Sequence, residues 1–169
     1  MSLYEQIISV REGGHTGRCH TVPHHMSYDV AKHSWHATAM LLQLWPEAPN
    51  HLVRALMFHD VHERWIGDTP APAKWGVEGL KDALDVGQLK LEASLGIFEQ
   101  LTAYEGQWLR ALDLLELVFW CDDELALGNR HVKGLRDNAL NALRELIGAD
   151  RVPMTIMHLI TERADAGVL

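Results

Sequence analysis

The part of the sequence that most restricts the fold runs from residue 59 to residue 74 and reads HDVHERWIGDTPAPAK. In its first half, His59, Asp60 and Glu63 have the spacing of three and four residues that brings side chains to one face of a helix. Histidine nitrogen and aspartate oxygen atoms are good ligands for divalent cations, and a nearby glutamate can act as acid or base on a water molecule. An isolated His-Asp pair is more often the polar end of an amphipathic helix, so the rest of the chain decides between these interpretations.

Apolar residues recur at helical spacing on both sides of this stretch, and no segment alternates with the period of two that a strand needs. Asp29 is a good N-cap residue for one of these helices, and Pro46 ends it. The glycine and prolines of residues 67–72 predict an ordered loop. The predicted helices cover residues 3–11, 30–45, about 50–65, 79–104, 107–127, 131–147 and 153–164. We therefore predict an all-α bundle of six or seven helices, forming a single domain over residues 1–169.

The composition restricts the partners of the chain. It has 15 Lys and Arg residues against 23 Asp and Glu residues, a formal net charge of −8, which argues against a nucleic-acid polymer or an anionic membrane as partner. No apolar run approaches the length of a membrane helix, and Cys19 and Cys121 form no CxxC pair, so we expect a cytoplasmic protein without a disulfide. The 11 histidines are many for this length and direct attention to a metal.

Four sequence elements in a fixed order resemble the HD superfamily, and within it the branch of bacterial 5′-deoxynucleotidases and phage deoxynucleotide phosphohydrolases. Residues 29–34, DVAKHS, are similar to an early-helix segment with a single histidine, here His33. HDVHE at 59–63 and GDTPAPAK at 67–74 follow, and Asp113 precedes ELALGN at 124–129 on a later helix. HDxxE alone is a weak signal, but the ordered set is specific and spans residues 18–129.

The resemblance implies the helical bundle of an HD domain and one divalent metal ion, Co, Mn, Zn or Mg, held by His33, His59, Asp60 and Asp113. It implies that Glu63 is the general acid or base and that Asp68 positions the attacking water or polarises a substrate group. For Asp68 the alternative is a loop cap before Thr69. Asp113 lies in an apolar run where a buried carboxylate is costly without a partner, and a metal ion is such a partner.

The resemblance also implies cationic contacts to phosphate. Arg18 matches the arginine of an RWHT motif that contacts the substrate phosphate in this branch, Lys74 ends the GDxPxPxK element, and Arg110 lies one turn before Asp113. For each of them the alternative is an ordinary surface residue. Cys19 stands where the family has the tryptophan that shapes the sugar and base pocket, so sugar selectivity stays open. The candidates for a replacement surface are His20, Trp35, Pro72 and Trp75.

The function implied by the resemblance is metal-dependent hydrolysis of a small-molecule deoxynucleotide. The compact length, Cys19 and the three candidate cations favour a deoxynucleoside triphosphate of the dATP type, as in the phage enzymes. One alternative is a 5′-deoxynucleotidase that releases phosphate from deoxynucleoside monophosphates. Another is a non-catalytic module that binds a nucleotide, although such a module needs neither Glu63 nor Asp68. The resemblance further implies a homo-oligomer, a dimer or larger, in the bacterial cytoplasm or, for a phage-encoded protein, in that of its host.

Overall fold

The computed structural model describes residues 1–148 and 153–165, and these residues form helices and no strand. The predicted all-α fold is confirmed. The elements in chain order are α1 (Leu3–Gly13), α2 (Val30–Leu44), α3 (Asn50–Phe58), α4 (Glu63–Ile66), α5 (Ala71–Gly76), α6 (Leu80–Leu95), α7 (Ala103–Ala126), a 3-10 turn (Arg130–Val132), α8 (Lys133–Gly148) and α9 (Met154–Asp165). In the described ranges, none of these helices combines the length and the apolar character that crossing a membrane requires.

Capping residues explain where the long helices begin and end. The Asp29 side chain accepts a hydrogen bond from Lys32 N at 2.8 Å and starts α2, as predicted. The α7 helix begins four residues earlier than predicted, because Thr102 and Glu105 form a capping box. The α6 helix ends earlier than predicted, because Gly96 adopts a left-handed conformation with φ 69° and closes it.

The HDVHE segment does not continue the helix before it, which corrects the prediction of one helix up to about residue 65. The α3 helix ends at Phe58, and backbone bonds from Val61 N to Phe58 O and from Glu63 N to Asp60 O, both 3.0 Å long, wind the chain more tightly. With three residues per turn, side chains at i and i+3 lie in line. The tighter winding therefore places Asp60 and Glu63 on the same face.

The segment of residues 67–72 is also not loop throughout, because α5 begins at Ala71. Pro72 lies in the first turn of α5, where an N–H group has no partner within the helix, so the helix tolerates it. On the other side of the HDVHE turn, α1 packs so closely that a Cβ on Gly13 would lie 3.0 Å from Val61 O. The turn is therefore held between α1 and α3.

The hydrophobic core joins α2, α3, α7, α8 and α9. Its fully buried members include Leu41, Leu52, Leu56, Leu112, Leu115, Leu143 and Ile156. Burial of such side chains stabilises the fold by about 1.5–3 kcal/mol each, before the cost in conformational entropy. Because this core packs α2, α3 and α7 against one another, it fixes the relative positions of the polar residues those helices carry.

Candidate metal centre and substrate cleft

The four predicted metal ligands come together from two helices and a turn. His33 lies on α2, His59 and Asp60 in the turn after α3, and Asp113 on α7. The His33 Nε2 atom lies 3.2 Å from His59 Nε2 and 3.3 Å from Asp113 Oδ1. The His59 Nε2 atom lies 3.2 Å from Asp60 Oδ2 and 3.9 Å from Asp113 Oδ1. The donor atoms of His33, His59 and Asp60 thus lie within 4.8 Å of one another, and Asp113 Oδ1 lies beside the two histidine nitrogens.

Both histidines are oriented with Nε2 toward this cluster. The Nδ1 atom of His59 lies 2.8 Å from Leu56 O, and that of His33 lies 2.5 Å from Glu116 Oε2. Each Nδ1 therefore has an acceptor for its proton, which leaves Nε2 as the ligand atom.

The two carboxylates carry charge where ligands need it. Burial raises the pKa of the Asp60 carboxyl, but His59 and Arg18 outweigh burial and hold that pKa well below its usual value. Burial also raises the pKa of the Asp113 carboxyl, but the nearby His33 and His59 outweigh burial and hold that pKa well below the ordinary range. Both side chains are therefore anionic at neutral pH.

The donor set fits a divalent metal ion. A tetrahedral ion with ligand bonds of 2.0–2.1 Å separates its donor atoms by about 3.3 Å. The five separations that involve a histidine Nε2 atom run from 3.2 to 3.9 Å and bracket that value. Two imidazole nitrogens favour Co²⁺, Mn²⁺ or Zn²⁺ over Mg²⁺, which prefers oxygen ligands.

We expect the metal affinity of the cluster to rise with pH. Burial lowers the pKa of His59, but Asp60 and Asp113 outweigh burial and raise that pKa well above its usual value. A metal ion must therefore displace a proton, which strengthens apparent affinity by up to about tenfold per pH unit. Calorimetric titration of the metal-free protein with Zn²⁺ at several pH values measures this slope, and a pH-independent affinity would contradict it.

Arg18 lies against the cluster rather than in the open cleft. Its guanidinium contacts Asp60 and lies 3.6 Å from Asp113 Oδ1, with Cζ 5.5 Å from the centre of the Tyr28 ring. It therefore neutralises the same two carboxylates that a metal ion would bind. A contact between Arg18 and the substrate phosphate stays a prediction.

Glu63 lies beside the cluster in a position suited to proton transfer. It is 6% exposed, and in the described part of the chain its Oε2 atom has no hydrogen-bond partner. Burial and the nearby Asp60 raise the pKa of its carboxyl to about 8. A group with a pKa near neutrality can both take up and release a proton.

Asp68 joins two loops. Its Oδ2 atom accepts a hydrogen bond of 2.8 Å from Cys19 N, across 49 residues of sequence. Asp68 thus bonds to a distant backbone group instead of capping its own loop. Its second carboxylate oxygen, Oδ1, takes no part in this bond. The part of Asp68 in handling water stays a prediction.

Cys19 has a left-handed backbone with φ 53°, which is rare for residues other than glycine. Its side chain packs against the buried cluster of Tyr28, Trp120, Cys121 and Val132. Burial raises the pKa of its thiol to about 12. Cys19 therefore offers its backbone N–H to Asp68 and its side chain to the core, and does not supply the flat surface of a tryptophan.

A cleft of about 380 Å³ opens beside Glu63 and His62. The predicted phosphate-binding residues Lys74 and Arg110 both line it, and Arg110 Nη1 donates to Asp113 Oδ2 at 2.9 Å. Lys81 of α6 lines the same cleft. Lys81 is not among the residues that the sequence predicts for this cleft, because an exposed lysine on an amphipathic helix has no distinguishing sequence signal.

Two buried glutamates of α7 were also missed. Glu116, 2% exposed, contacts His33, and its position three residues after Asp113 was the available signal. Glu124 is fully buried and accepts hydrogen bonds from His25 N, Met26 N and the Asn129 side chain. The ELALGN motif is thus structural, because Glu124 anchors the loop that follows Arg18.

Comparisons with known proteins agree with this fold. None of the curated proteins compared with the chain matches it. Among solved structures, the chain is similar to the cyanophage S-2L HD phosphohydrolase DatZ, which was solved bound to dA and one catalytic Zn²⁺ ion. The match has a TM-score of 0.72 at 17% sequence identity and covers 99% of this chain and 96% of that chain. This likeness shows the fold. The family model described as HD domain matches residues 16–119, and the chain belongs to the HD domain family.

Proposed function

We propose that the protein is a metal-dependent phosphohydrolase of deoxynucleotides and that deoxynucleoside triphosphates such as dATP are its preferred substrates. The observation that supports the proposal most strongly is the position of His33, His59 and Asp60, with Asp113 next to both histidines, beside a cleft lined by three cationic residues, Lys74, Lys81 and Arg110. The deoxynucleotide class is supported by the cyanophage phosphohydrolase, which shares the fold and was solved with dA.

His33, His59, Asp60 and Asp113 are the proposed metal ligands. A bound divalent ion supplies polarisation of a phosphoryl oxygen and lowers the pKa of water. The neighbouring Arg18 then has less negative charge to neutralise, which makes its guanidinium available to a phosphate. Arginine suits this contact because it can donate two parallel hydrogen bonds to phosphate oxygens.

Glu63 is the proposed general base and acid. Its unpartnered Oε2 atom can accept the proton of the attacking water and later return it to the leaving oxygen. A dication nearby favours the carboxylate form, so its pKa falls from about 8 toward neutrality when metal binds. Asp68, with Oδ2 held by Cys19 N, is proposed to position the water through its other oxygen.

Three cations on different elements favour a chain of phosphates over a single one. Lys74 lies on α5, Lys81 on α6 and Arg110 on α7, around one cleft. The charge that develops in phosphoryl transfer spreads over several oxygens, and cations placed around it stabilise the transition state. The side chain of Lys81 is paired with Asp85, an exposed contact that costs little to exchange for a phosphate.

Trp75 is the proposed surface for the base. It lines the cleft and is 74% exposed, which is unusual for so large an apolar side chain. Stacking of a base on an exposed aromatic ring contributes about 1–3 kcal/mol. Trp75 thus supplies a flat surface that Cys19 does not.

The experiment that tests the proposal measures products from a panel of deoxynucleotides with added Co²⁺, Mn²⁺, Zn²⁺ or Mg²⁺. We expect deoxynucleoside triphosphates to turn over fastest, and tripolyphosphate as the product would identify attack at the α-phosphorus. Fastest release of orthophosphate from monophosphates would instead support the 5′-deoxynucleotidase. Nucleotide binding without any product would support the non-catalytic module.

The variant Arg110→Gln is expected to lower kcat/KM for a triphosphate by roughly 10–100-fold, which corresponds to the loss of one charge-assisted hydrogen bond. For the matching monophosphate we expect a smaller loss of kcat/KM. The reason is that Arg110 lines the cleft next to Asp113, where the added phosphates contribute charge. Metal content is measured in parallel, and Arg144→Gln, which removes an exposed arginine of α8, is the matched control. Equal losses on both substrates would argue against a triphosphate preference.

A further inference from the structure

Glu116 lies behind His33, on the side away from the metal cluster. It is a buried residue of α7, one turn after Asp113. Its Oε2 atom lies 2.5 Å from His33 Nδ1 and accepts a hydrogen bond of 2.5 Å from the Tyr28 hydroxyl. Its Oε1 atom lies 3.1 Å from His36 Nδ1. One carboxylate is thus surrounded by three polar side chains.

We infer that Glu116 is a positioning residue for the metal centre, and that its carboxylate keeps the His33 proton on Nδ1 so that Nε2 faces the metal. An ionised carboxylate only accepts hydrogen bonds, so Nδ1 has to be the donor. The Nε2 lone pair is then directed at the cluster, where His59 Nε2 and Asp113 Oδ1 lie 3.2 and 3.3 Å away. The inference rests on the proposed metal site.

The surroundings of Glu116 fix its carboxylate in place. A buried carboxylate is costly unless its oxygens are hydrogen-bonded, and here each oxygen has a partner. The Tyr28 ring stacks on Trp120 at 4.4 Å with an interplanar angle of 11°, which restricts its hydroxyl. The position of the carboxylate is thus set by α7, by α2 and by the segment before α2.

The two histidine ligands differ in what supports them. The Nδ1 atom of His59 lies against a backbone carbonyl, Leu56 O, whereas that of His33 lies against a carboxylate. A carboxylate acceptor makes the imidazole a stronger donor to metal than a neutral carbonyl does, and loss of such a partner typically costs 10–100-fold in metal affinity. Of the two histidines, His33 is therefore the one whose strength as a ligand depends on another side chain.

The test compares Glu116→Ala and Glu116→Gln with the unmodified protein. Zn²⁺ affinity is measured by competition with a chromogenic chelator, and the visible absorption of the Co²⁺-loaded protein reports the ligand geometry. We expect Glu116→Ala to weaken Zn²⁺ binding about 10- to 100-fold and to alter the Co²⁺ spectrum. Glu116→Gln keeps an acceptor for Nδ1–H but loses the charge, so its affinity should lie between the other two.

Glu124→Gln is the matched control, because Glu124 is a fully buried carboxylate of the same helix that contacts no proposed ligand. It should lower the unfolding temperature of the metal-free protein and leave Zn²⁺ affinity and the Co²⁺ spectrum unchanged. The inference would be overturned if both Glu116 variants bound Zn²⁺ as tightly as the unmodified protein. It would also be overturned if their Zn²⁺ affinity fell no more than that of Glu124→Gln. If Glu116→Ala does not fold, Glu116→Gln decides. Failure of the unmodified protein to bind metal would instead refute the proposed function.

Discussion

Replacing His59 or Asp60 with alanine is expected to abolish both tight metal retention and hydrolysis. Each residue supplies one of four donor atoms, and the HDVHE turn holds them side by side, with His59 Nε2 3.2 Å from Asp60 Oδ2. Loss of Asp60 also removes the partner that holds Arg18 beside the cluster. Elemental analysis after dialysis measures the metal, and product release from a deoxynucleoside triphosphate measures turnover.

His51→Ala is the matched control for this pair. His51 lies on α3 and contacts a carboxylate, with Nε2 2.7 Å from Glu105 Oε1, but it is outside the cluster. It should retain one metal ion per chain and full activity. Stoichiometric metal in either His59→Ala or Asp60→Ala would show that the ligand assignment is wrong.

Glu63→Gln is expected to keep the metal and bind nucleotide while losing about 10²–10⁴-fold in rate, the usual contribution of a positioned acid or base. The glutamine has nearly the same shape but cannot take up the proton of the attacking water. Activity within a few-fold of that of the unmodified protein would show that water is activated without Glu63, by the metal alone or with Asp68.

The same variant should stabilise the metal-free protein at alkaline pH. The pKa of the Glu63 carboxyl is raised from 4.5 to about 8 in the folded chain. Between these values the folded state binds more protons than the unfolded state, so stability falls as pH rises and the loss is complete above pH 8. Glutamine has no such dependence. Thermal unfolding at about pH 5 and about pH 9 should show a gain for Glu63→Gln only at the higher pH.

The sequence was informative where a pattern repeats or where an ordered motif limits the alternatives. Apolar residues at helical spacing were sufficient to predict the seven longer helices of the described residues, since burial of an apolar stripe dominates helix formation in a protein. The ordered motifs were sufficient to name four side chains on three elements, and these side chains do lie together. Their role as ligands follows from the chemistry of the site and stays a proposal.

The remaining features depend on small local differences or on distant contacts. At His59 the backbone changes from α-helical hydrogen bonds, four residues apart, to tighter ones, three residues apart. No residue type in the sequence marks this change. The start of α5 at Ala71 was missed because proline is compatible with both a loop and a first helical turn. The contact of Glu116 with His33 spans 83 residues of sequence, and only the packing of α2 on α7 brings the two together.

The central claim is that one divalent ion, held by His33, His59, Asp60 and Asp113, makes this chain a deoxynucleotide phosphohydrolase. The most direct test titrates metal-free protein with Co²⁺ or Mn²⁺ and follows hydrolysis of dATP. We predict that the protein does not hydrolyse dATP without metal and that the rate rises in proportion to bound metal until one ion is bound per chain. His59→Ala should not reach this maximal rate. Hydrolysis by the metal-free protein, or the same maximal rate in His59→Ala, would contradict the claim.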